Sequence, residues 1–201
     1  MLFFKSLAVL STLAFGALSG LAAPAGTTET GLVARCDCDS LPNIIAVLKD
    51  DISVSVGAIA AITPANCTVD ALTPVVVDIK AKVNVAITAI GKLSGQPLDV
   101  VIGAGIDVNA FAAIVADLVV FIFTAIRVCL TVCVGVNVSA VLALLCGLGE
   151  VIGALIVAIL HVCAGLFVGL DVAIFGLIGV VVDVIVKLNV SVIISVFGIV
   201  L

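Results

Sequence analysis

Charged residues are almost absent from the second half of this 201-residue chain, and this constrains the fold more than any other feature. The charged side chains between residues 98 and 201 are Asp99, Asp107, Asp117, Arg127, Glu150, Asp171, Asp183 and Lys187. Over the whole chain 64% of residues are hydrophobic and 10% are charged, against about 25% charged in an ordinary soluble domain. Intrinsic disorder is excluded, because it needs low hydrophobicity and high charge. Too few polar side chains exist to cover a water-soluble monomer of the usual kind.

The charge balance excludes one broad class of partner. The formal net charge is −5 and the sequence pI is about 4.5, so the phosphates of a nucleic acid would be repelled. The sequence also contains no Trp or Tyr and no basic cluster, which nucleic-acid-binding surfaces normally provide. We therefore expect no nucleic-acid partner.

The first 23 residues have the organisation of a secretory signal peptide. Lys5 supplies the positive charge, residues 7–18 form the apolar core, and small residues surround a cleavage position after Ala22. An uncleaved anchor is the alternative, but the core is short for a membrane span. Residues 24–35 are expected to form an unstructured spacer or pro-segment, with Arg35 as a candidate processing point. The chain beyond residue 35 has the length of one domain.

Residues 36–97 show the periodicity of two amphipathic helices. Apolar side chains recur at spacings of three and four. The first stripe contains Leu41, Ile44, Ile45, Leu48, Ile52, Val56, Ile59 and Ile62, and the second contains Val69, Leu72, Val76, Ile79, Val83, Ala86 and Ile90. Thr63 and Pro64 separate the stripes, and the Gly- and Pro-containing segment 91–97 ends the second. We predict an antiparallel helical hairpin in which each helix has one apolar face.

Residues 98–201 are interpreted as an apolar helical region. Its longest charge-free run, 128–149, would extend about 33 Å as a helix, which is enough to cross a bilayer core. Strands are the alternative, because β-branched residues are abundant and alternate with smaller or polar residues over 128–139 and 182–192. However, the apolar runs are far longer than ordinary strands of about five to six residues. We predict an all-α fold in which the hairpin is followed by two to three long apolar helices, arranged as a bundle or as membrane spans.

Four glycines in this region have the spacing of close helix contacts. Gly149 and Gly153, and again Gly165 and Gly169, form the pattern G-x-x-x-G, which lets helix backbones approach each other. The alternative is coincidence in a chain with 18 glycines. We predict that these four residues lie in helix-packing contacts.

The cysteines of the N-terminal half are candidates for a disulfide. In an oxidising compartment disulfides are expected, and Cys36 or Cys38 could tie the start of the first helix to Cys67 in the loop between the helices. The chain has seven cysteines, so at least one thiol is free or intermolecular. A zinc site is not expected, because few further ligands flank Cys36 and Cys38.

The cysteines of the apolar half have two interpretations. Cys129 and Cys133 share a helix face, and Cys146 and Cys163 could bridge neighbouring helices. The alternative is that all four are small buried hydrophobic residues.

Three asparagines lie in sequons for N-glycosylation: Asn66, Asn137 and Asn189. Asn66 lies in a predicted loop and is the plausible acceptor. Asn137 and Asn189 lie in apolar runs, where we expect short polar residues to serve helix packing or capping. Asn137 should stay unmodified if residues 128–149 span a bilayer.

No arrangement of residues in the sequence supports catalysis. The single histidine, His161, lies in an apolar run, where a buried histidine bonded to a neighbour is the expected state. The serines lack the nucleophile-elbow pattern, and Gly103 and Gly105 lack the third glycine of a dinucleotide-binding loop. We expect neither an enzyme nor a cofactor.

Short motifs give the chain one family resemblance. They are Phe3-Phe4-Lys5-Ser6-Leu7, Leu32-Val33-Ala34-Arg35-Cys36-Asp37, Ser40-Leu41-Pro42, Gly91-x-x-x-Gly95-Gln96 and Leu188-Asn189-Val190-Ser191-Val192-Ile193-Ile194. With them the chain resembles a family of small, secreted, very apolar proteins of mushroom-forming fungi that has no assigned function. The resemblance implies a secreted or membrane-associated helical protein and supplies no catalytic residues.

Two functional hypotheses follow for a protein of the secretory pathway. In the first, the protein associates with or inserts into membranes through its apolar helices, and the lipid bilayer or another apolar surface is its partner. Acidic residues such as Asp117 and Glu150 oppose this, because a charge near the centre of a membrane helix costs about 2.5–3.5 kcal/mol. In the second, the protein is a soluble extracellular helical bundle that self-associates or binds lipid, and an exposed apolar patch marks its contact surface.

Overall fold

The computed structural model describes residues 39–103, 105–133, 138–164 and 169–199. These residues are all-α and contain no strand, so the predicted fold class is confirmed and the strand alternative is wrong. The helices are α1 (Leu41–Ala60), α2 (Val69–Gly91), α3 (Leu98–Val101), α4 (Val108–Val132), α5 (Val138–Val162), α6 (Leu170–Ile178), α7 (Val182–Leu188) and α8 (Ser191–Phe197), with a 3₁₀ turn at Gly179–Val181. The predicted signal peptide, the spacer, Cys36 and Cys38 lie outside the described residues.

The predicted amphipathic hairpin is formed by α1 and α2. Pro42 stands in the first turn of α1, where its missing N–H is not needed. The Thr68 side chain caps α2 by accepting a hydrogen bond from the Ala71 N–H at 3.2 Å. Nearly all residues of the two predicted apolar stripes are buried. The 3.6-residue period therefore identified both the helices and their inner faces.

The two apolar helices lie between the hairpin and the C-terminal segments. On one side α1 packs along α4 and α2 packs along α5; on the other, α6 packs along α4 while α7 and α8 contact α5. The described residues belong to one compact unit. The predicted regions 36–97 and 98–201 are therefore not physically separate, because the hairpin covers part of the apolar surface of α4 and α5.

The charge-free run 128–149 is not one helix. α4 ends at Val132 and α5 begins at Val138, so the run is divided between two helices. Cys133, the residue after α4, is joined to the α1–α2 loop by a disulfide. The prediction of a span over 128–149 is wrong for this reason, and Asn137 lies outside the described residues.

Two helices nevertheless have the length and composition of membrane spans. α4 and α5 each contain 25 residues, about 37 Å of helix, and their most apolar windows have mean hydropathies of 2.4 and 2.5. In the folded chain 56% and 44% of these windows are buried by other parts of the protein. Length and composition alone do not distinguish a span from the core helix of a soluble bundle.

The C-terminal segment forms short helices, with turns before α6 and between α7 and α8. Gly169 has φ 82° immediately before α6, and Asn189 has φ 53° between α7 and α8, a conformation that glycine and asparagine adopt at the lowest cost. Gly169 therefore allows a turn, and its predicted role in helix packing is wrong. Gly165 lies outside the described residues.

Candidate functional site

The charges on the apolar helices form links between layers. Lys49 of α1 is paired with Asp117 of α4, and Arg127 of α4 is paired with Asp183 of α7. All four side chains are more than a third exposed, so each pair contributes about 0–1 kcal/mol. These contacts join neighbouring layers, and they place the carboxylates of Asp117 and Asp183 beside cations at the protein surface.

Glu150 holds the start of α8. Its carboxylate accepts hydrogen bonds from the Ser191 N–H at 2.7 Å, from the Ser191 hydroxyl at 2.9 Å and from the Val192 N–H at 3.2 Å. An acidic side chain at this position satisfies backbone N–H groups that have no partner inside the helix. Glu150 therefore has a structural role at the start of α8. His161 is exposed in the last turn of α5, so the expectation that it is buried is wrong.

Asp78 lies in a polar cluster between the two helices of the hairpin. Its carboxylate accepts hydrogen bonds from Lys82 Nζ at 2.7 Å and from the Ser55 hydroxyl at 2.6 Å. The hydrogen bond from Lys82, followed by the one from Ser55, lowers the pKa of Asp78 from its usual 3.8. Lys82 also donates to the Asp51 carbonyl at 2.9 Å, so this cluster joins α1 to α2.

Gly149 and Gly153 form the contact surface of α5 for the C-terminal segment. A methyl group added to Gly149 would lie 2.6 Å from Val190 Cγ2, and one added to Gly153 would lie 2.8 Å from Val192 Cβ. Both distances are well below van der Waals contact. These glycines therefore let α8 approach α5, which is the role expected for the G-x-x-x-G spacing.

Three cysteines meet where the α1–α2 loop touches the end of α4. A disulfide joins Cys67 to Cys133, with 5.6 Å between the Cα atoms. The Cys129 sulfur lies 3.7 Å from that of Cys133, and the three sulfurs lie within 4.8 Å of one another. The predicted pairing of Cys67 with Cys36 or Cys38 is wrong, because Cys67 is bonded to Cys133. We call Cys67, Cys129 and Cys133 the cysteine cluster.

The cysteine cluster in this form is not a metal site. Two of its three sulfurs are bonded to each other, and one thiol is too few to hold a zinc or copper ion. The other two described cysteines are free thiols, so the predicted bridge between Cys146 and Cys163 is absent. Burial raises the pKa of Cys163 to about 11, which keeps its thiol protonated and unreactive at neutral pH.

The two described sequons occupy different environments. Asn66 is exposed in the α1–α2 loop, and its side-chain oxygen accepts hydrogen bonds from the Thr63 N–H at 2.7 Å and the Thr63 hydroxyl at 3.0 Å. Asn189 is exposed with positive φ, and the hydroxyl of Ser191 in its sequon is bonded to Glu150. The sequon of Asn189 thus has a structural role in the turn before α8.

Large apolar side chains are exposed along α6 and the 3₁₀ turn. Val172 is 70% exposed, Phe175 38%, Leu177 48% and Val180 63%. No charged residue lies between Asp171 and Asp183. Phe175 is stacked on Phe197 of α8, with 5.7 Å between ring centroids. We call Val172, Phe175, Leu177 and Val180 the C-terminal apolar face.

No local pattern in the sequence identifies the C-terminal apolar face. Residues 172–182 were visible as a charge-free run, but so were the neighbouring runs that form the core. Which apolar residues remain uncovered depends on the packing of α6 against α4, and the local sequence does not specify that packing.

Comparison of the chain with protein-family models, with curated proteins and with solved structures finds no match.

Proposed function

We propose that this protein is a non-enzymatic protein of the secretory pathway that associates with lipid bilayers through its C-terminal apolar face. The observation that carries the proposal is the exposure of four large apolar side chains within nine residues. Contiguous exposed apolar surface on a folded protein usually marks a contact with a partner or a membrane. α4 and α5 supply a further apolar surface that the folded chain half covers.

The expected strength of this association follows from the exposed fractions. Full burial of a Val, Leu or Phe side chain contributes about 1.5–3 kcal/mol. The four side chains are on average about half exposed, but α6 turns about 100° per residue, so Phe175 and Leu177 project to different sides. Transfer of the four side chains into lipid therefore contributes at most about 4 kcal/mol in total, up to roughly a thousandfold in partitioning. A single myristoyl chain gives marginal, reversible binding with an association constant of about 10⁴ M⁻¹. The face alone therefore supports reversible docking.

Charge determines which lipids the protein should prefer. The chain has a net charge of −5, so anionic headgroups repel it, and Asp171 and Asp183 flank the apolar face. Docking should therefore be stronger on neutral vesicles than on anionic ones. Salt should weaken binding to neutral vesicles little, because the driving force is apolar burial.

We propose that the protein is not an enzyme because carboxylates that could act in catalysis are hydrogen-bonded within the protein. Glu150 is bonded to Ser191 and Val192, and Asp78 is bonded to Lys82 and Ser55. A general base would have to be within hydrogen-bond reach of a substrate group. Among the described residues, these carboxylates instead stabilise helix contacts.

The test is flotation of the purified protein with phosphatidylcholine vesicles. A triple variant with Val172→Ser, Phe175→Ser and Val180→Ser should lose most of the vesicle-bound fraction. The matched control changes three valines of the hairpin that are at least as exposed as the tested set, Val54→Ser, Val77→Ser and Val85→Ser, which are 82%, 56% and 71% exposed. Equal binding of both triple variants would overturn the proposal.

Self-association is the second candidate function. The half-buried state of α4 and α5 favours a soluble bundle over separate spans, and two copies could bury the same C-terminal apolar face against each other. Light scattering would then show a concentration-dependent dimer that the C-terminal triple variant lacks, with no binding of the wild-type protein to vesicles.

A further inference from the structure

A disulfide joins the α1–α2 loop covalently to the end of α4. Cys67 lies in that loop and Cys133 is the residue that follows α4. α1 packs along α4 and α2 along α5. The link therefore holds the hairpin on the surface of the two helices that are long and apolar enough to cross a bilayer.

We propose that the cysteine cluster is a site of thiol–disulfide exchange, in which the disulfide moves from Cys67–Cys133 to Cys129–Cys133 and releases the α1–α2 loop. The role of this release in membrane insertion rests on the function proposed above. The exchange itself does not, because it is defined by three sulfurs of the same chain.

The distances and the helix geometry allow the second pairing. Cys129 precedes Cys133 by four residues, so both side chains lie on the same face, one turn apart. Cα atoms four residues apart in a helix are separated by about 6 Å, within the range of about 4.4–6.8 Å that disulfides span. The two sulfurs are already 3.7 Å apart. Cβ atoms at this helical spacing are about 5–6 Å apart, and a disulfide spans about 3.5–4.5 Å between them. The new bond therefore needs a shift of the last turn of α4, which ends at Val132, together with side-chain rotation.

The exchange balances without an external oxidant or reductant. Cys129 loses its thiol proton, and the thiolate attacks the Cys133 sulfur. A bond forms between Cys129 and Cys133 while the bond between Cys133 and Cys67 breaks. Cys67 leaves as a thiolate and takes up a proton from solvent. One disulfide and one thiol are present before and after the step.

Burial controls the rate of this step. Cys129 is fully buried and Cys133 is 5% exposed, and buried thiols react slowly. Exchange therefore needs a transient fraying of the last turn of α4, which exposes Cys129 to solvent and lets it reach Cys133 while the disulfide still holds the α1–α2 loop. After exchange, only packing and the exposed Lys49–Asp117 pair hold the hairpin on α4 and α5. The hairpin can then separate without breaking a covalent bond, and separation exposes the apolar faces of both helices to lipid.

The test follows the appearance of a Cys67 thiol in the protein without vesicles. The oxidised protein is incubated with N-ethylmaleimide in low urea, which opens the cluster, and is then acid-quenched for peptide mass spectrometry. We expect Cys67 to become alkylated as a Cys129–Cys133 disulfide accumulates. Cys129→Ser should lower the rate of Cys67 alkylation at least tenfold, and Cys129→Ala gives the same comparison if the serine variant fails to fold. Cys146→Ser, the matched control, should exchange like the wild type.

The outcomes separate the two proposals. Alkylation of Cys67 at the same rate with and without Cys129, or no alkylation of Cys67 in the wild type, would overturn the exchange. Exchange by a protein that never binds vesicles would support the disulfide exchange and overturn the membrane function. Vesicle binding without exchange would support the membrane function and overturn the disulfide exchange.

Discussion

Replacing Cys67 by alanine tests the energetic role of the cysteine cluster. The native disulfide closes a loop of 66 residues, which in the chain-entropy treatment stabilises the folded state by about 4.4 kcal/mol. In Cys67→Ala the remaining pair, Cys129 and Cys133, closes a loop of four residues, for which the same treatment gives about 1.9 kcal/mol. We therefore expect an oxidised Cys67→Ala variant to lose about 2.5 kcal/mol.

The assay is urea denaturation followed by far-UV circular dichroism. With a slope of about 2 kcal/mol/M, the midpoint should fall by roughly 1 M urea. Addition of dithiothreitol provides the control, because the reduced wild type and the reduced variant both lack disulfides and should agree within about 0.5 kcal/mol. The double variant Cys67→Ala, Cys129→Ala should lose about 4.4 kcal/mol when oxidised, since no disulfide remains in the cluster. A deficit of Cys67→Ala that persists unchanged in dithiothreitol would refute the reasoning and assign the effect to packing.

Three further predictions concern other parts of the molecule. Gly153→Val should lower the free energy of unfolding by about 1–3 kcal/mol through overpacking against Val192, while Gly176→Ala, which meets no atom within 4 Å, should be neutral or stabilising in the same denaturation assay. The pKa of Asp78 is lowered in the folded state, so its contribution to stability is present above its unfolded pKa and is lost as the pH falls through the lower folded value. Asp78→Asn should therefore flatten the plot of unfolding free energy against pH below about pH 4. A plot parallel to that of the wild type would count against the pairing of Asp78 with Lys82 and Ser55. Asn66→Gln should increase gel mobility of the protein secreted from eukaryotic cells and abolish its shift on glycosidase treatment, whereas unchanged mobility would show that Asn66 carries no sugar.

The sequence predicts the hairpin well because its pattern is unambiguous. In α1 and α2 the apolar residues repeat with the helical period while polar residues occupy the other positions, so the inner face is specified locally. Thr63 and Pro64 separate the helices in both the sequence analysis and the structure. Burial of the two stripes then needs only a matching apolar surface.

The apolar half is less predictable because nearly every position is apolar. In α4 and α5 the pattern alone does not distinguish inward from outward positions, and tertiary packing decides which faces are covered. The helix break after Val132 coincides with the disulfide between Cys133 and Cys67. The two cysteines are 66 residues apart in the sequence, so the local sequence does not predict the break. Gly169 fits a helix-packing motif in the sequence and yet forms a turn.

The candidate surface depends on the same long-range packing. Val172 and Val180 are exposed because α6 presents its other side to α4. The sequence shows a charge-free run there but does not distinguish an exposed face from a buried one.

Hydrogen–deuterium exchange with and without phosphatidylcholine vesicles tests the central claim most directly, because it locates the lipid contact on the unmodified protein. The account predicts that vesicles slow exchange in α6 and in the 3₁₀ turn Gly179–Val181, where the C-terminal apolar face lies. Exchange in α1 and α2 should stay unchanged or become faster if the hairpin separates from α4 and α5. Slower exchange confined to α1 and α2, or no change anywhere at lipid concentrations that bind the protein, would contradict the account.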